Sequence, residues 1–252
     1  MPAGLTAAIP ILTYHSIDSS GSVISTDVNQ FRRHMECLAE NKIRVLPLLE
    51  AVSILKHRST LPRNAVALTF DDGFRNFFSC ALPILKRFQF PATVFLVTGR
   101  SGKDNQWRGQ SPGIPRLELF DWQEVREASR EGIDFGVHTI THPNLARLSR
   151  EELAREIIEP QQVISEQVGS PPRVFAYPYG IHTPAAEQIV CQAYEAACSV
   201  EMGFASHDSH PYRLPRIDMY YFSRNDLFKW CGTSVFRHYV GLRRFLRRLR
   251  AH

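Results

Sequence analysis

Eight short apolar runs, near residues 9–14, 43–47, 65–70, 92–97, 133–138, 173–177, 196–200 and 214–220, alternate along this chain with helical patterns. That alternation restricts the fold more than any other feature, because strands separated by helices form βα units and a parallel sheet. The chain has 252 residues, 44% of them apolar, which is enough to bury a full core. α/β barrels of about this length are commonly single domains, and no linker-like stretch, internal repeat or low-complexity tract divides the sequence.

Helix signals fit the same scheme. Thr26 is placed to cap a helix whose Val28, Phe31, Met35 and Leu38 fall on one face, and Ser149 with Glu152 forms a capping-box pattern. Pro160 interrupts that second helix, so a kink or break is expected there. Residues 99–117 are the one long irregular segment, rich in Gly and Pro. Long loops inside compact domains tend to be functional. This one is expected to emerge at the same end of the barrel as the residues considered next and to form part of a substrate groove.

Three strand ends carry unusual side chains. The run through Phe70 ends in Asp71, Asp72 and Gly73; the run 133–137 ends in His138, with His142 four residues on; and the run 173–177 ends in Pro178, Tyr179 and Gly180. Residues at the C-terminal ends of parallel barrel strands are where active sites collect. Two adjacent carboxylates cannot both ionise freely unless something cationic separates their roles. One carboxylate with two imidazoles makes a three-ligand site with open positions, the arrangement of a hydrolytic metal centre rather than a closed structural one. A histidine spacing of four brings both rings to one point if a turn of helix begins at His138.

At these residues the sequence resembles the polysaccharide deacetylases, carbohydrate esterase family four. Thr69 to Gly73, His138 to Pro143 and Phe175 to Gly180 look like the first three motifs of that family, in order, within a resemblance that spans roughly residues 9 to 220. The resemblance implies a distorted, incompletely closed (β/α) barrel of seven or eight parallel strands. It implies that Asp72, His138 and His142 bind a divalent metal, usually zinc, with cobalt, nickel or manganese as alternatives. Asp71 would be the general base toward the attacking water. Tyr179, following Pro178, would offer a backbone N–H to the oxyanion, and both residues would contact substrate.

The chain departs from the family pattern at two places. An arginine often stands two residues before the third motif's proline, where this chain has Ala176, so whatever orients Asp71 must come from elsewhere; Arg216 is the candidate. The late Leu-x-Leu-His motif that supplies a general acid in many members is also missing. A branch of the family opens with a Tyr-His pair, as in Tyr14 and His15 here, which makes His15 the candidate acid, with His207 and His210 as further options. Among the tryptophans, Trp107 in its polar loop is the candidate substrate contact, while Trp122, Trp230 and Tyr14 are read as packing.

The implied activity is a metal-dependent hydrolase that removes the N-acetyl group from an amino sugar in a glycan or lipid-linked glycan intermediate. Alternatives are a deformylase or cyclic-amide hydrolase of the same family, or a glycan-binding relative without turnover. Five scattered cysteines, an odd number without a Cys-x-x-Cys pair, favour reduced and mostly buried thiols. With no signal-like segment in Met1 to Pro10, the expected location is the cytoplasm. The barrel is assigned to residues 1–233. Residues 234–252 form a basic amphipathic helix, with Val235, Tyr239, Leu242, Phe245, Leu246 and Leu249 at helical spacing among arginines. Such a helix either packs on the barrel with its arginines solvated or lies peripherally on an anionic membrane. A formal charge of +5 would admit nucleic acid, but the arginines cluster at one end without a binding motif, so no nucleic-acid partner is expected.

Overall fold

A computed structural model describes residues 8–222 and 226–250. Its strands are β1 (Ile11–Tyr14), β2 (Ser16–Ile17), β3 (Ser25–Thr26), β4 (Arg44–Leu46), β5 (Ala65–Phe70), β6 (Thr93–Leu96), β7 (Asp134–Val137), β8 (Val174–Ala176), β9 (Ala196–Met202) and β10 (Leu214–Asp218). Its α-helices are α1 (Val28–Glu40), α2 (Leu48–Lys56), α3 (Leu82–Phe88), α4 (Trp122–Arg130), α5 (Arg150–Val168), α6 (Pro184–Ala193) and α7 (Ser234–Arg250).

The expected (β/α) barrel is present, all parallel, with neighbours in the order β1, β10, β9, β8, β7, β6, β5 and then β1 again. The ring closes, where an incompletely closed one was expected, because Ile11 to Tyr14 pair in register with Ala67 to Phe70. Seven strands therefore form a continuous barrel. The eighth, β4, lies outside the ring and pairs only with Ala65 to Ala67 of β5.

Strand residues alternate between two cores. Ala65, Ala67, Phe95, Val174, Ala176, Ala196 and Cys198 belong to an inner cluster, which Leu48, Ala51, Val52 and Leu55 of α2 complete at the end where the strands begin. Their neighbours Val66, Leu68, Phe70, Val94, Leu96, Phe175 and Ala197 pack outward against the helices. Both faces being buried explains why the strands read as unbroken apolar runs instead of alternating ones. Small inner residues suit a ring of seven strands, whose interior has little room for large side chains.

Local expectations met mixed outcomes. Ser149 and Glu152 do form a capping box at the start of α5. The cap of α1 is Asp27, not Thr26; its carboxylate accepts from the N–H groups of Asn29 and Gln30, while Thr26 is taken up by β3. Pro160 does not break α5, which runs from residue 150 to 168. The flanking Ile157 and Ile164 are buried, and this packing outweighs the roughly 3 kcal/mol that an interior proline costs. Of the five free thiols only Cys198 and Cys231 are buried; Cys37 and Cys80 are half-buried and Cys191 is exposed.

Helix α7 is held by Phe236 and Val240, both buried, while Val235, Leu242, Phe245 and Leu246 face outward. The side chains of Arg247, Arg248, Leu249 and Arg250, expected on the amphipathic helix, and residues 251–252 lie outside the described residues.

Candidate active site

The two aspartates sit where β5 ends. The Asp71 N–H still donates to the Tyr14 carbonyl (3.0 Å), continuing the β1–β5 ladder. Asp72 (φ 72°) and Gly73 (φ 73°) then turn through the left-handed region, which for Asp72 is an uncommon conformation. This turn sends the two carboxylates to different partners.

Asp71 meets Arg216. Nη1 donates to Oδ1 and Nη2 to Oδ2, each at 2.7 Å, and Nε donates to the Ser199 carbonyl at 2.9 Å. Both side chains are buried. Burial alone would raise the Asp71 pKa, but the Arg216 charge and the paired hydrogen bonds outweigh it and hold the carboxyl well below the usual carboxylate range. Strand β10 thus supplies the orienting guanidinium that Ala176 cannot. His15, at the end of β1, is half-buried with Nε2 3.9 Å from Asp71 Oδ2.

Asp72 meets the histidines. Its Oδ1 is 3.4 Å from His138 Nε2 and 3.3 Å from His142 Nε2, and the three donor atoms lie within 4.8 Å of one another. His138 Nδ1 donates to the Ala176 carbonyl at 2.7 Å, which turns the Nε2 lone pair toward Asp72. Asp72 Oδ1 is buried and accepts no hydrogen bond. A buried anionic oxygen facing two imidazole nitrogens is costly by itself and is relieved by a cation held between them. Burial drives the His142 pKa down to about 3, so that ring is neutral with its lone pair available. For His138 burial acts the same way but loses to the neighbouring Asp72 and Asp71, which raise it. The donor set therefore fits a divalent metal.

The segment from His138 to His142 is not the helical turn expected from its spacing. Thr139 (φ 70°) and His142 (φ 58°) are left-handed, and for β-branched Thr139 this is a strained backbone. The strain is held in place by Glu156 of α5. Its carboxylate accepts from Ile140 N–H (2.8 Å), Thr141 N–H (2.9 Å) and Thr141 Oγ1 (2.7 Å), while Thr139 Oγ1 accepts from His142 N–H. Sequence reasoning missed Glu156. The available signal was a carboxylate in register with the buried Leu153, Ile157 and Ile164 of α5.

Two aromatic rings clamp His142. Trp107 stands 4.3 Å away between centroids and Tyr179 4.5 Å away, edge-on. Trp107, expected to reach substrate from a polar loop, is mostly buried with Phe74, Val97 and Leu119 and also lines the groove beside the site. Pro178 is buried and Tyr179 beside it is 39% exposed with a left-handed backbone (φ 57°). His207 and His210 do not reach the site. His207 Nδ1 lies 3.4 Å from the Leu55 carbonyl, by the far end of the barrel, and His210 faces Glu187 at 3.7 Å.

From Tyr179 a groove of about 1050 Å³ extends between the 99–111 loop and the arm of residues 141–156. The irregular segment therefore does form one wall of a groove at this end.

The polysaccharide deacetylase family model matches residues 58–194, more than half of the chain. The chain belongs to the polysaccharide deacetylase family. Curated relatives agree: the YxkH protein of Bacillus subtilis is 28% identical over 215 residues, covering 84% of this chain and 71% of that protein. A poly-beta-1,6-N-acetyl-D-glucosamine N-deacetylase of Staphylococcus aureus is 24% identical over 203 residues, covering 77% and 67%. Among solved structures, the Streptococcus pyogenes deacetylase PplD aligns with a TM-score of 0.74 at 24% identity over 84% of this chain and 92% of that one. IcaB from Ammonifex degensii aligns at 0.72 and 22% identity over 91% and 97%. At these identities the two structures establish the shared fold.

Proposed function

We propose that this family member is a metal-dependent N-deacetylase that removes acetate from an N-acetylated amino sugar of a glycan or lipid-linked glycan intermediate. The observation that carries this reading is the division of labour between adjacent carboxylates: Asp72 faces two imidazoles, and Asp71 is held apart by Arg216.

Asp72, His138 and His142 would hold the metal, with zinc the proposed ion. When bound, the metal polarises the amide carbonyl and acidifies water. The remaining chemistry belongs to the chain. Asp71, fixed in two directions by Arg216, accepts the proton of the attacking water as the water oxygen bonds to the carbonyl carbon. The Tyr179 backbone N–H is the proposed donor to the developing oxyanion, an interaction whose loss typically costs about a hundredfold or more in rate. His15 donates a proton to the amine nitrogen as the C–N bond breaks, releasing acetate and a free amino sugar. Trp107 and Tyr179 keep the His142 ring in place and limit water access to it.

The test is acetate release from N-acetylglucosamine oligomers with added zinc or cobalt. Loss of release with a chelator and in Asp71→Asn supports the reading. Formate release or cyclic-amide opening would move the assignment within the family, and metal and sugar binding without turnover would make the protein a glycan-binding relative.

A peripheral membrane contact through α7 extends the proposal. Val235, Leu242, Phe245 and Leu246 are 49%, 57%, 58% and 41% exposed and lie along one side of the helix, away from the buried Phe236 and Val240. No helix among the described residues is long and apolar enough to cross a membrane. Co-sedimentation with vesicles containing phosphatidylglycerol, reduced in Leu242→Ser/Phe245→Ser, supports contact; equal recovery in the supernatant with and without vesicles counts against it. Free thiols at all five cysteines accord with the cytoplasmic side of that membrane.

A further inference from the structure

The groove beside the site has a charge pattern that N-deacetylation alone does not require. Its lining includes four guanidiniums, from Arg100, Arg108, Arg147 and Arg155, against two carboxylates, Glu152 and Glu156. Both carboxylates are already committed to backbone donors: Glu152 accepts from Ser149 N–H at 2.8 Å, and Glu156 holds the Ile140–Thr141 turn. Arg100 is committed as well, to Asp104. Arg108, Arg147 and Arg155 are exposed and meet no carboxylate among the described residues. Some other surface arginines pair off, as Arg44 does with Glu50, Arg173 with Glu195 and Arg213 with Glu187, while exposed Arg63, Arg87 and Arg130 do not among the described residues; what sets Arg108, Arg147 and Arg155 apart is that they line one groove.

The three unpaired guanidiniums stand on both walls. Arg108 is on the loop of residues 99–111, next to Trp107, which packs on His142. Arg147 and Arg155 are on the opposite arm, either side of the Ser149 cap of α5, with Arg155 directly before Glu156. A neutral sugar ring offers hydroxyls and apolar faces, which Tyr179, Leu148 and Pro143 can meet. Three like charges facing one groove from both walls focus a positive potential there, which draws in ligands of the opposite sign. The planar guanidinium fork matches phosphate oxygens in pairs, and such charge-assisted bonds are about twice as strong as neutral ones.

We infer that this groove binds a phosphate ester carried by the substrate glycan, with Arg108, Arg147 and Arg155 as its ligands, so that the enzyme selects anionic over neutral N-acetylated saccharides. This deepens the proposed deacetylation and rests on the same site. The phosphate can be internal to the glycan or can link it to a lipid, and the two sources share the recognition chemistry.

Binding and turnover are measured separately. Full-length zinc-loaded Asp71→Asn protein is titrated calorimetrically with a chitotriose and with its 1-phosphate ester. The phosphate ester is expected to bind at least about tenfold more tightly, the equivalent of one charge-assisted hydrogen bond. That preference should shrink as salt rises and fall to near unity in a background of Arg108→Gln, Arg147→Gln and Arg155→Gln, with the melting temperature checked for integrity. A lipid-linked and a lipid-free phosphate ester then separate the two sources: equal preference assigns an internal phosphate, and a further gain with the lipid assigns a lipid-linked one. Equal affinity for neutral and phosphorylated saccharides, or a preference that survives loss of all three arginines, overturns the inference. Failure of acetate release from either saccharide, with the binding preference intact, would instead count against deacetylation and leave the anion site standing.

Discussion

Arg216 grips both oxygens of Asp71, 2.7 Å on each side, from a strand that lies beyond β1 in the ring. A buried carboxylate held in this way is fixed in orientation, and its basicity is set by a neighbour that itself stays charged. Replacing Arg216 with Met leaves Asp71 buried without a partner, which costs about 3–5 kcal/mol for a buried pair broken on one side. The expected outcome is a lower urea midpoint and a kcat for acetate release down by about a hundredfold, with zinc affinity nearly unchanged because Asp72, His138 and His142 do not touch Arg216. An Arg216→Met protein with wild-type kcat would remove Arg216 from the mechanism. Removing the positive charge also raises the Asp71 pKa, so the acid limb of the pH–rate profile should move to higher pH in Arg216→Met, and by less in Arg216→Lys, which keeps the charge but loses the paired fork.

Glu156 makes a separate prediction. Its three hydrogen bonds hold the turn that carries His142, so Glu156→Ala frees the strained Thr139 and His142 backbones. Partners that orient metal ligands typically contribute 10–100-fold in affinity. Zinc affinity by chelator competition should therefore fall about tenfold or more in Glu156→Ala, with Glu156→Gln intermediate because one amide oxygen can still accept. Equal zinc affinity in all three proteins would make Glu156 a structural residue only.

The reach of the sequence follows from how local each signal is. Asp71, Asp72, His138 and His142 were legible because strand-terminal carboxylates and closely spaced imidazoles have few stable uses other than holding a cation. Arg216 was legible only through the family resemblance, in which an arginine often stands where this chain has Ala176, leaving Asp71 to be oriented from elsewhere. Glu156 was not, because its partners lie 15 and 16 residues away and no local periodicity links a helix-face carboxylate to a turn. The same holds for the left-handed Thr139, whose conformation depends on Glu156 and not on its own preference. Ring closure was likewise invisible, since it depends on the registration of β1 with β5, 56 residues apart for Thr13 and Thr69, whose hydroxyls meet at 3.0 Å.

Gly180 tests the turn on the other side of the site. Its φ is 67°, and a Cβ there would clash with Cγ2 of Val200. Gly180→Ala combines an unfavourable backbone with a clash and is expected to cost about 1–3 kcal/mol and to raise KM by displacing Tyr179. Val200→Ala should recover part of the stability, since it removes both Cγ contacts but leaves the 2.9 Å approach of its own Cβ and the backbone cost. An additive double variant would show that the contact with Val200 carries none of the effect.

His34 gives the protein a pH dependence remote from the site. The ring is 1% exposed between Tyr14 and Gln30, with Tyr14 Oη 3.1 Å from Nδ1 and Gln30 Nε2 2.8 Å from Nε2. Burial lowers its pKa from 6.5 to about 3, and the nearby Arg33 pushes the same way against the Phe222 carbonyl. The folded state therefore binds no proton at His34 where the unfolded chain does, so stability falls as pH drops from 6.5 toward 3. Each unit is equivalent to about 1.4 kcal/mol, which gives a loss of about 2 kcal/mol between pH 7 and pH 5 from this group. Urea unfolding of metal-free protein at both pH values should show that loss in the wild type and a smaller one in His34→Gln, the difference isolating His34 from the low-pKa His142. If the two proteins lose equal stability on acidification, His34 is not buried as a neutral ring, and the packing of α1 against Tyr14 would need to be redrawn.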